Sequence, residues 1–144
     1  MSDRVFLDTN ILIYAFDRTD PIKHSVARRL VDETAADGTF TISLQVLQEF
    51  FSVSTRKLDL KLPPEKAAVI VSEFLRHRVV EPTSGMLLKA MDLARTRMLS
   101  IYDALIVTAA AASSCVTLYT EDLSSGTALA GVRVLNPFLA GPHR

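Results

Sequence analysis

Short apolar runs alternate along the chain with longer stretches in which apolar residues recur every three or four positions. The run Val5-Phe6-Leu7 is continuously apolar, which is typical of a strand that is buried on both faces of a sheet. Because helical patterns separate this run from later ones, we expect a three-layer α/β/α domain with a parallel sheet, spanning residues 1–144. The further short runs that predict strands lie at 39–42, 79–80, 116–119 and 132–135.

The helical stretches carry clear start and stop signals. Pro21 can open a helix that Gly38 ends, and Ser43 is a candidate N-cap for the helix that follows it. Ser100 opens a stretch in which residues 104–112 are apolar nearly all round, so this helix must be buried. Two more amphipathic stretches lie at 67–75 and 87–98.

Composition and charge exclude several classes of protein. The 144 residues contain 16 Lys plus Arg and 16 Asp plus Glu, and this zero net charge argues against strong, purely electrostatic nucleic-acid binding. Cys115 is the only cysteine, so no intramolecular disulfide can form and we expect a reducing, cytoplasmic location. No apolar run is long enough for a signal peptide or a membrane-spanning helix, so no membrane partner is expected.

Four acidic residues occupy positions that are unusual for solvated side chains. Asp8 directly follows the first buried strand, and Asp122 comes just after the strand at 116–119. Glu49 lies among apolar neighbours on a helix, and Asp103 lies in the first turn of the buried helix. Because sites in open parallel sheets form beyond the carboxyl ends of the strands, all four could converge on one edge of the sheet.

Each acid also has a purely structural interpretation. Asp8 could cap a helix, Asp122 could cap the segment after it, and Asp103 stands three residues after Ser100 in the spacing of a capping box. Glu49 is the hardest to explain in this way, because charged groups rarely lie among apolar side chains without a partner.

Convergence of the four acids would require a counter-charge. Two carboxylates about 5 Å apart repel each other by roughly 3 kcal/mol at an effective dielectric constant of 20. Such crowding either protonates some of the acids or recruits a cation, and a ligand set of oxygen atoms alone selects Mg²⁺ or Mn²⁺. A metal of this kind commonly activates water for attack on a phosphate ester.

The acidic motifs resemble those of a known family. The chain contains, in order, LDTNILIYAFD, a helical Glu followed by Phe, SIYDALIVTAAA, LYTEDL and a closing VRVLNPF. This order and spacing is similar to that of PIN-domain ribonucleases, and in particular to VapC-type toxins of bacterial toxin–antitoxin pairs. The resemblance implies a five-stranded parallel sheet, Mg²⁺- or Mn²⁺-dependent cleavage of RNA, a cognate antitoxin that occupies the cleft, and a homodimer.

The resemblance also implies roles for individual residues. The catalytic acids would be Asp8, Glu49, Asp103 and Asp122. Of these, Asp8, Asp103 and Asp122 would bind the metal, while Glu49 would bind it or orient the attacking water. Asn10 would support Asp8 or the backbone turn. Thr9 and Thr120 could hydrogen-bond a carboxylate or water, with local backbone bonding as the alternative.

Residues outside the acidic set give weaker indications. Glu121 is expected to be solvated. Candidate phosphate contacts are Arg28, Arg29, Arg56, Lys57 and Lys61, with a solvated helix face as the alternative. A groove for a partner helix could be lined by Phe50, Phe51, Leu58, Leu60 and Leu62, which could equally be ordinary core.

Three other functions fit the sequence less well. A phosphoacceptor signalling domain would need an acidic pair after the first strand and a lysine near the last strand, where the chain reads Leu135-Asn136-Pro137. A phosphatase of the haloacid-dehalogenase type would need an Asp at the position of Asn10. A non-catalytic interaction module on the same fold would not need all four acids.

Overall fold

A computed structural model of the protein describes residues 3–57 and 59–139. Within these residues the strands form one sheet in which β1, β2, β3, β4 and β6 run parallel to their neighbours and β5 pairs antiparallel with β6. The spatial order is β3-β2-β1-β4-β6-β5. The strands are β1 (Val5–Leu7), β2 (Phe40–Ser43), β3 (Arg78–Val80), β4 (Thr117–Tyr119), β5 (Ala128–Leu129) and β6 (Val132–Leu135).

Helices cover the sheet and fill the connections between the parallel strands. The almost wholly apolar α6 packs across β2, β4 and β6, and α5 packs on α6. The short α1 contacts both α2 and α3, and α3 in turn packs on α4. The helices are α1 (Thr9–Tyr14), α2 (Pro21–Asp37), α3 (Leu44–Arg56), α4 (Pro64–Phe74), α5 (Ser84–Arg97) and α6 (Ile101–Ala112). None of the helices in the described ranges is long and apolar enough to cross a membrane.

The helix boundaries follow the signals predicted from the sequence. Pro21 is the first residue of α2, and Gly38 ends this helix in the left-handed conformation with φ of 73°. The Ser43 hydroxyl accepts a hydrogen bond from the Val46 N–H at 3.3 Å, and the Ser100 hydroxyl accepts one from the Asp103 N–H at 3.0 Å. The predicted caps at Ser43 and Ser100 are therefore confirmed.

Two elements were not predicted. Strand β5 is a sixth strand beyond the expected five, and it runs antiparallel because a two-residue turn joins it to β6. Both turn residues, Ala130 and Gly131, have positive φ of 51° and 79°, which matches the twist of a tight hairpin. Helix α1 was missed because Ile11, Leu12 and Ile13 form a continuous apolar run without helical periodicity.

Phe50 anchors the core between α3 and its neighbours. Its side chain is fully buried and makes edge-on contacts with Phe16 and Phe74, at ring centroid distances of 5.6 and 5.9 Å. Phe51, the next residue on the same helix, is 40% exposed. Phe50 and Phe51 have the same helix propensity but different burial, so a comparison of their alanine variants isolates the effect of burial.

We expect Phe50→Ala to lower the free energy of unfolding by about 3–5 kcal/mol, because it leaves a cavity in a packed aromatic cluster. Phe51→Ala should cost less than half as much, since part of this side chain remains in water. Urea unfolding followed by circular dichroism measures both changes. Equal losses from the two variants would contradict the role assigned to Phe50.

Candidate active site

The four predicted acids lie around one edge of the sheet. Asp8 directly follows β1, and Asp122 lies in the loop after β4. These strands are parallel neighbours, with Leu7 opposite Tyr119, so their carboxyl ends lie side by side. Electrostatic interactions link Asp8 to Asp122 and to Glu49 on α3, and Asp122 to Asp103 in the first turn of α6.

Asp8 is both a helix cap and a carboxylate turned toward this edge. Its Oδ1 accepts a hydrogen bond from the Thr9 N–H at 2.7 Å, at the start of α1. Its Oδ2 accepts a second bond from the Thr120 hydroxyl at 2.8 Å. Burial raises the pKa of Asp8 to about 6; these two donors oppose the increase, while the charges of Asp122 and Glu49 add to it.

Asn10 and Thr120 connect Asp8 to Asp122. The Asn10 amide donates to Oδ2 of Asp122 at 3.0 Å and to the Thr120 hydroxyl oxygen at 3.3 Å. The Thr120 hydroxyl oxygen also accepts from the Asp122 N–H at 3.1 Å. Burial raises the pKa of Asp122, the Asn10 bond lowers it, and the nearby carboxylates of Glu121 and Asp103 raise it further. Of the two roles predicted for Asn10, direct support of Asp8 is not seen; its Oδ1 instead accepts from the Glu121 N–H at 3.4 Å, in the backbone turn that carries Asp122.

Glu49 is held on the opposite wall by two polar side chains. The Thr9 hydroxyl donates to its Oε1 at 2.6 Å, and the Gln45 amide donates to its Oε2 at 3.4 Å. The same Gln45 amide reaches the Tyr102 carbonyl at 3.3 Å, next to Asp103 on α6. Gln45 was not singled out from the sequence, although its position four residues before Glu49 places both side chains on one helix face.

A cleft of about 370 Å³ opens beside the acids, with α1 as its floor and α3 and the loop after β4 as its walls. Its lining residues are Thr9, Asn10, Ile13, Tyr14, Glu49, Val53, Lys57, Glu121 and Asp122. A larger cavity of about 560 Å³ lies between α2 and strands β4 and β6, and none of the four acids lines it. Of the four acids, Glu49 and Asp122 line the smaller cleft.

Glu121 is not solvated as predicted. Its Oε1 pairs with Lys23 Nζ at 2.9 Å, and its Oε2 accepts from the Tyr14 hydroxyl at 2.9 Å. Lys23 also donates to the Tyr14 oxygen at 3.3 Å, which closes a triangle between α1, α2 and the loop that carries Asp122. The prediction failed because partners about 100 residues away in sequence give no local signal.

The chemistry of these side chains suits a hard divalent cation. They offer only oxygen atoms as ligands. Burial raises the pKa of Asp8 and of Asp122, neighbouring carboxylates raise both further, and a bound cation would offset both effects. Asp8, Asp103 and Asp122 are the candidate ligands, but this structure does not draw their side chains together into a ligand group. In the described part of the chain no three of the Asp, Glu, His or Cys side chains lie close enough together to form a ligand group.

The predicted phosphate contacts separate into different surroundings. Lys57 lines the cleft and forms an ion pair with buried Asp17. Arg56, its neighbour, folds back along its own helix and donates to the Ser52 hydroxyl at 2.7 Å. Lys61 is exposed in the loop after α3.

The two arginines on α2 lie away from the cleft lining. Arg28 pairs with Asp32 on the same helix at 2.8 Å and stacks over the ring of Phe16. Arg29 lines the larger cavity between α2 and the strands.

The predicted apolar stretch is divided between core and surface. Phe50 is core, Leu60 packs against it, Leu62 is half-buried, and Leu58 lies outside the described residues. Phe51 lines a groove of about 520 Å³ between α3 and α4, together with Leu44, Leu47, Val71 and Leu75.

We expect Asp8→Asn to stabilise the metal-free protein at neutral pH. Because the pKa of Asp8 lies at about 6 in the folded chain against an ordinary value of 3.8, its ionisation costs up to about 3 kcal/mol of stability. The native state binds the proton more tightly, so this cost grows as pH rises from about 4 to 6 and is absent below that window.

Thermal unfolding in chelator measures the effect. Tm should rise by several degrees at pH 7.5 and change little at pH 4, while the exposed control Asp32→Asn should change little at pH 7.5. A lower Tm for Asp8→Asn at pH 7.5 would show that hydrogen bonding outweighs burial.

Solved structures with a similar fold are toxins or toxin–antitoxin complexes. VapBC2 from Rickettsia felis, bound to a DNA fragment from their promoter, is 23% identical with a TM-score of 0.62, over 90% of this chain and 96% of that chain. VapC20 of Mycobacterium tuberculosis, a sarcin–ricin loop-cleaving toxin, is 21% identical with a TM-score of 0.63, over 82% and 89%. A toxin–antitoxin complex from Klebsiella pneumoniae is 20% identical with a TM-score of 0.67, over 92% and 97%. At such low sequence identities, the TM-scores show a shared fold and nothing more.

The sequence match is to a family model rather than to a single relative. A search of curated proteins finds no match to this sequence. The model of the PIN domain matches residues 5–124, a range that contains all four acids. With this match over most of its length and a largely parallel sheet of the same fold, the chain belongs to the PIN domain family.

Proposed function

We propose that this protein is a Mg²⁺- or Mn²⁺-dependent endoribonuclease that acts as the toxin of a type II toxin–antitoxin module. The observation that carries the proposal is the placement of Asp8, Glu49, Asp103 and Asp122 around one edge of the sheet, where electrostatic interactions link Asp8 to Glu49 and to Asp122, and Asp122 to Asp103. Glu49 and Asp122 line the cleft that opens at this edge. A purely structural set of caps has no need for such mutually repelling charges.

The side chains have separate tasks in the proposed reaction. A divalent ion held by Asp8, Asp103 and Asp122 would supply positive charge that activates the attacking water and stabilises the negative charge developing on the leaving 3′ oxygen. Thr9 and Thr120 fix the orientation of Asp8, and Asn10 fixes that of Asp122. Glu49 faces them from α3 and can accept the proton of the attacking water. Hydrolysis of this kind needs no nucleophilic side chain and gives products with a 5′ phosphate.

The relatives with a similar fold support the toxin assignment and an antitoxin partner. One of them is described as a loop-cleaving toxin, and another as a toxin–antitoxin complex. An antitoxin would occupy the acidic cleft with a basic side chain. The proposal includes a homodimer, for which the exposed apolar side chains Leu88 and Met91 on α5 offer contact surface.

We expect the purified protein to cut a total RNA pool at discrete positions with Mg²⁺ or Mn²⁺, and to stop when chelator is added. Asp103→Asn should slow the cutting about 100-fold or more, because it removes a charge from the proposed cation site. Gel analysis measures the rates, and adaptor ligation tests for 5′ phosphates.

Asp92→Asn is the matched control, since Asp92 is an exposed acid on α5 that pairs with Arg95. It should cut at the wild-type rate. Equal cutting by wild type and Asp103→Asn would identify a contaminating nuclease and remove the support for this proposal.

The toxin assignment has its own test in cells. Induced expression of the wild type should arrest bacterial growth, and Asp8→Asn should relieve the arrest although it leaves the protein folded. Colony counts and protein levels on blots measure both effects. If cells grow normally while they contain abundant soluble wild-type protein, the toxin assignment is wrong, and the nuclease proposal is not affected.

A further inference from the structure

The cleft continues along α3 away from the acids. Glu49, Val53 and Lys57 all line it and follow one another at four-residue spacing, so they share one face of the helix. A rise of 1.5 Å per residue puts the backbones of Glu49 and Lys57 about 12 Å apart along the helix axis. The α3 wall of the cleft therefore runs from an acidic end at Glu49 to a basic end at Lys57, while Glu121 on the facing loop is paired with Lys23.

Lys57 is held in a fixed position at the basic end. Its Nζ bonds to Asp17, whose side chain is only 3% exposed and whose Oδ1 also accepts from the Thr19 N–H and hydroxyl. Burial raises the pKa of Asp17, but the bonds from Lys57 and Thr19 lower it to about 2, so the ion pair persists at neutral pH. An ammonium group has three N–H donors and Asp17 takes one, which leaves Lys57 able to bind a second anion.

An apolar strip lies between the two ends. Val53 is 36% exposed although it is hydrophobic, and it lines the cleft together with Ile13 and the ring of Tyr14. The Nζ of Lys57 lies 5.8 Å from the centre of that ring. The cleft wall thus offers apolar contact flanked by carboxylates on one side and an ammonium group on the other.

This order of groups matches the chemistry of a single nucleic-acid strand. In a duplex the bases are stacked inside, so an apolar strip between two phosphate sites would have little to contact. In a single strand the base and ribose faces are open to side chains.

We propose that Lys57 and Val53 form the subsite for the nucleotides of single-stranded RNA that flank the scissile phosphate. Lys57 binds a flanking phosphate, and Val53 with Ile13 contacts the ribose or base between it and the acids. This inference rests on the proposed nuclease function and adds the residues that hold the strand and the direction in which the strand leaves the acids.

Binding of a labelled, mixed-sequence single-stranded RNA tests the subsite. Fluorescence anisotropy is measured with Mg²⁺ in the Asp103→Asn background, so that cutting does not interfere. Lys57→Met should weaken binding about tenfold and reduce the slope of log K against log salt by about 0.7. A duplex of the same sequence should bind more weakly than the single strand.

The ion pair supplies a control that separates binding from folding. Asp17→Asn breaks the same pair but keeps the ammonium group, so its RNA affinity should equal or exceed that of the parent. Val53→Glu should weaken binding because the new carboxylate repels phosphate. Its Tm should be unchanged because the new Glu would lie four residues before Lys57, which is a favourable pairing on a helix. Arg56→Met should stay within about twofold, since Arg56 folds back onto Ser52.

Several outcomes would overturn the subsite. Equal losses in Lys57→Met and Asp17→Asn would show that the pair serves only the fold. If Lys57→Met binds RNA as tightly as the parent, Lys57 does not contact RNA and this end of the cleft would instead bind a protein partner. If the duplex binds as tightly as the single strand, the single-strand assignment is wrong. If the wild type still cuts RNA in a metal-dependent manner, these results defeat the subsite alone, whereas absence of both cutting and binding defeats the nuclease proposal as well.

Discussion

The bonds of the Asp8 carboxylate hold three parts of the molecule together. Asp8 ends the central strand β1, its Oδ1 starts α1 through the Thr9 N–H, and its Oδ2 fixes the Thr120 hydroxyl after β4. Each of these donors would lose its partner if the carboxylate turned away, and an unsatisfied buried donor costs about 1–3 kcal/mol. The fold therefore keeps a buried charge in place although burial itself disfavours it.

The same bonds determine where the neighbouring acids lie. Thr9, placed by the cap of α1, uses its hydroxyl to hold Glu49, and Thr120 accepts both the Asn10 amide and the Asp122 N–H. The carboxylates on both walls of the cleft are thus oriented by residues that directly contact or adjoin Asp8. A single strand end thus orients Asp8, Glu49 and Asp122, although these three acids are distant from one another in sequence.

Much of this arrangement could be predicted from the sequence because its causes are local. The apolar run before Asp8 predicts the strand, and the Ser43 and Ser100 hydroxyls predict the starts of α3 and α6. Parallel strands place Asp8 and Asp122 at one edge without knowledge of any contact. The positions of these two acids at one edge of the sheet were therefore predictable before the structure was known.

The remaining features depend on contacts between distant segments or on rotation about a helix. Tyr14 and Lys23 meet Glu121 only after the sheet has formed, so a solvated Glu121 was the reasonable but wrong expectation. Arg56 and Lys57 looked alike in sequence, yet one lies back on its own helix and the other lines the cleft. A turn of about 100° per residue separates such neighbours, and the sequence alone does not show which direction faces the cleft.

The placement of the lysines leaves the charge of the cleft uncompensated. Lys23 and Lys57 both lie beside it, but their partners are Glu121 and Asp17. The ion pairs seen among residues 3–57 and 59–139 thus include none of the four acids. A bound cation or a basic side chain from another protein would each offset the same charge. Since both need the same carboxylates, the proposed metal and a basic side chain of the proposed antitoxin would compete for one site, and inhibition by such a partner would need no change in the fold.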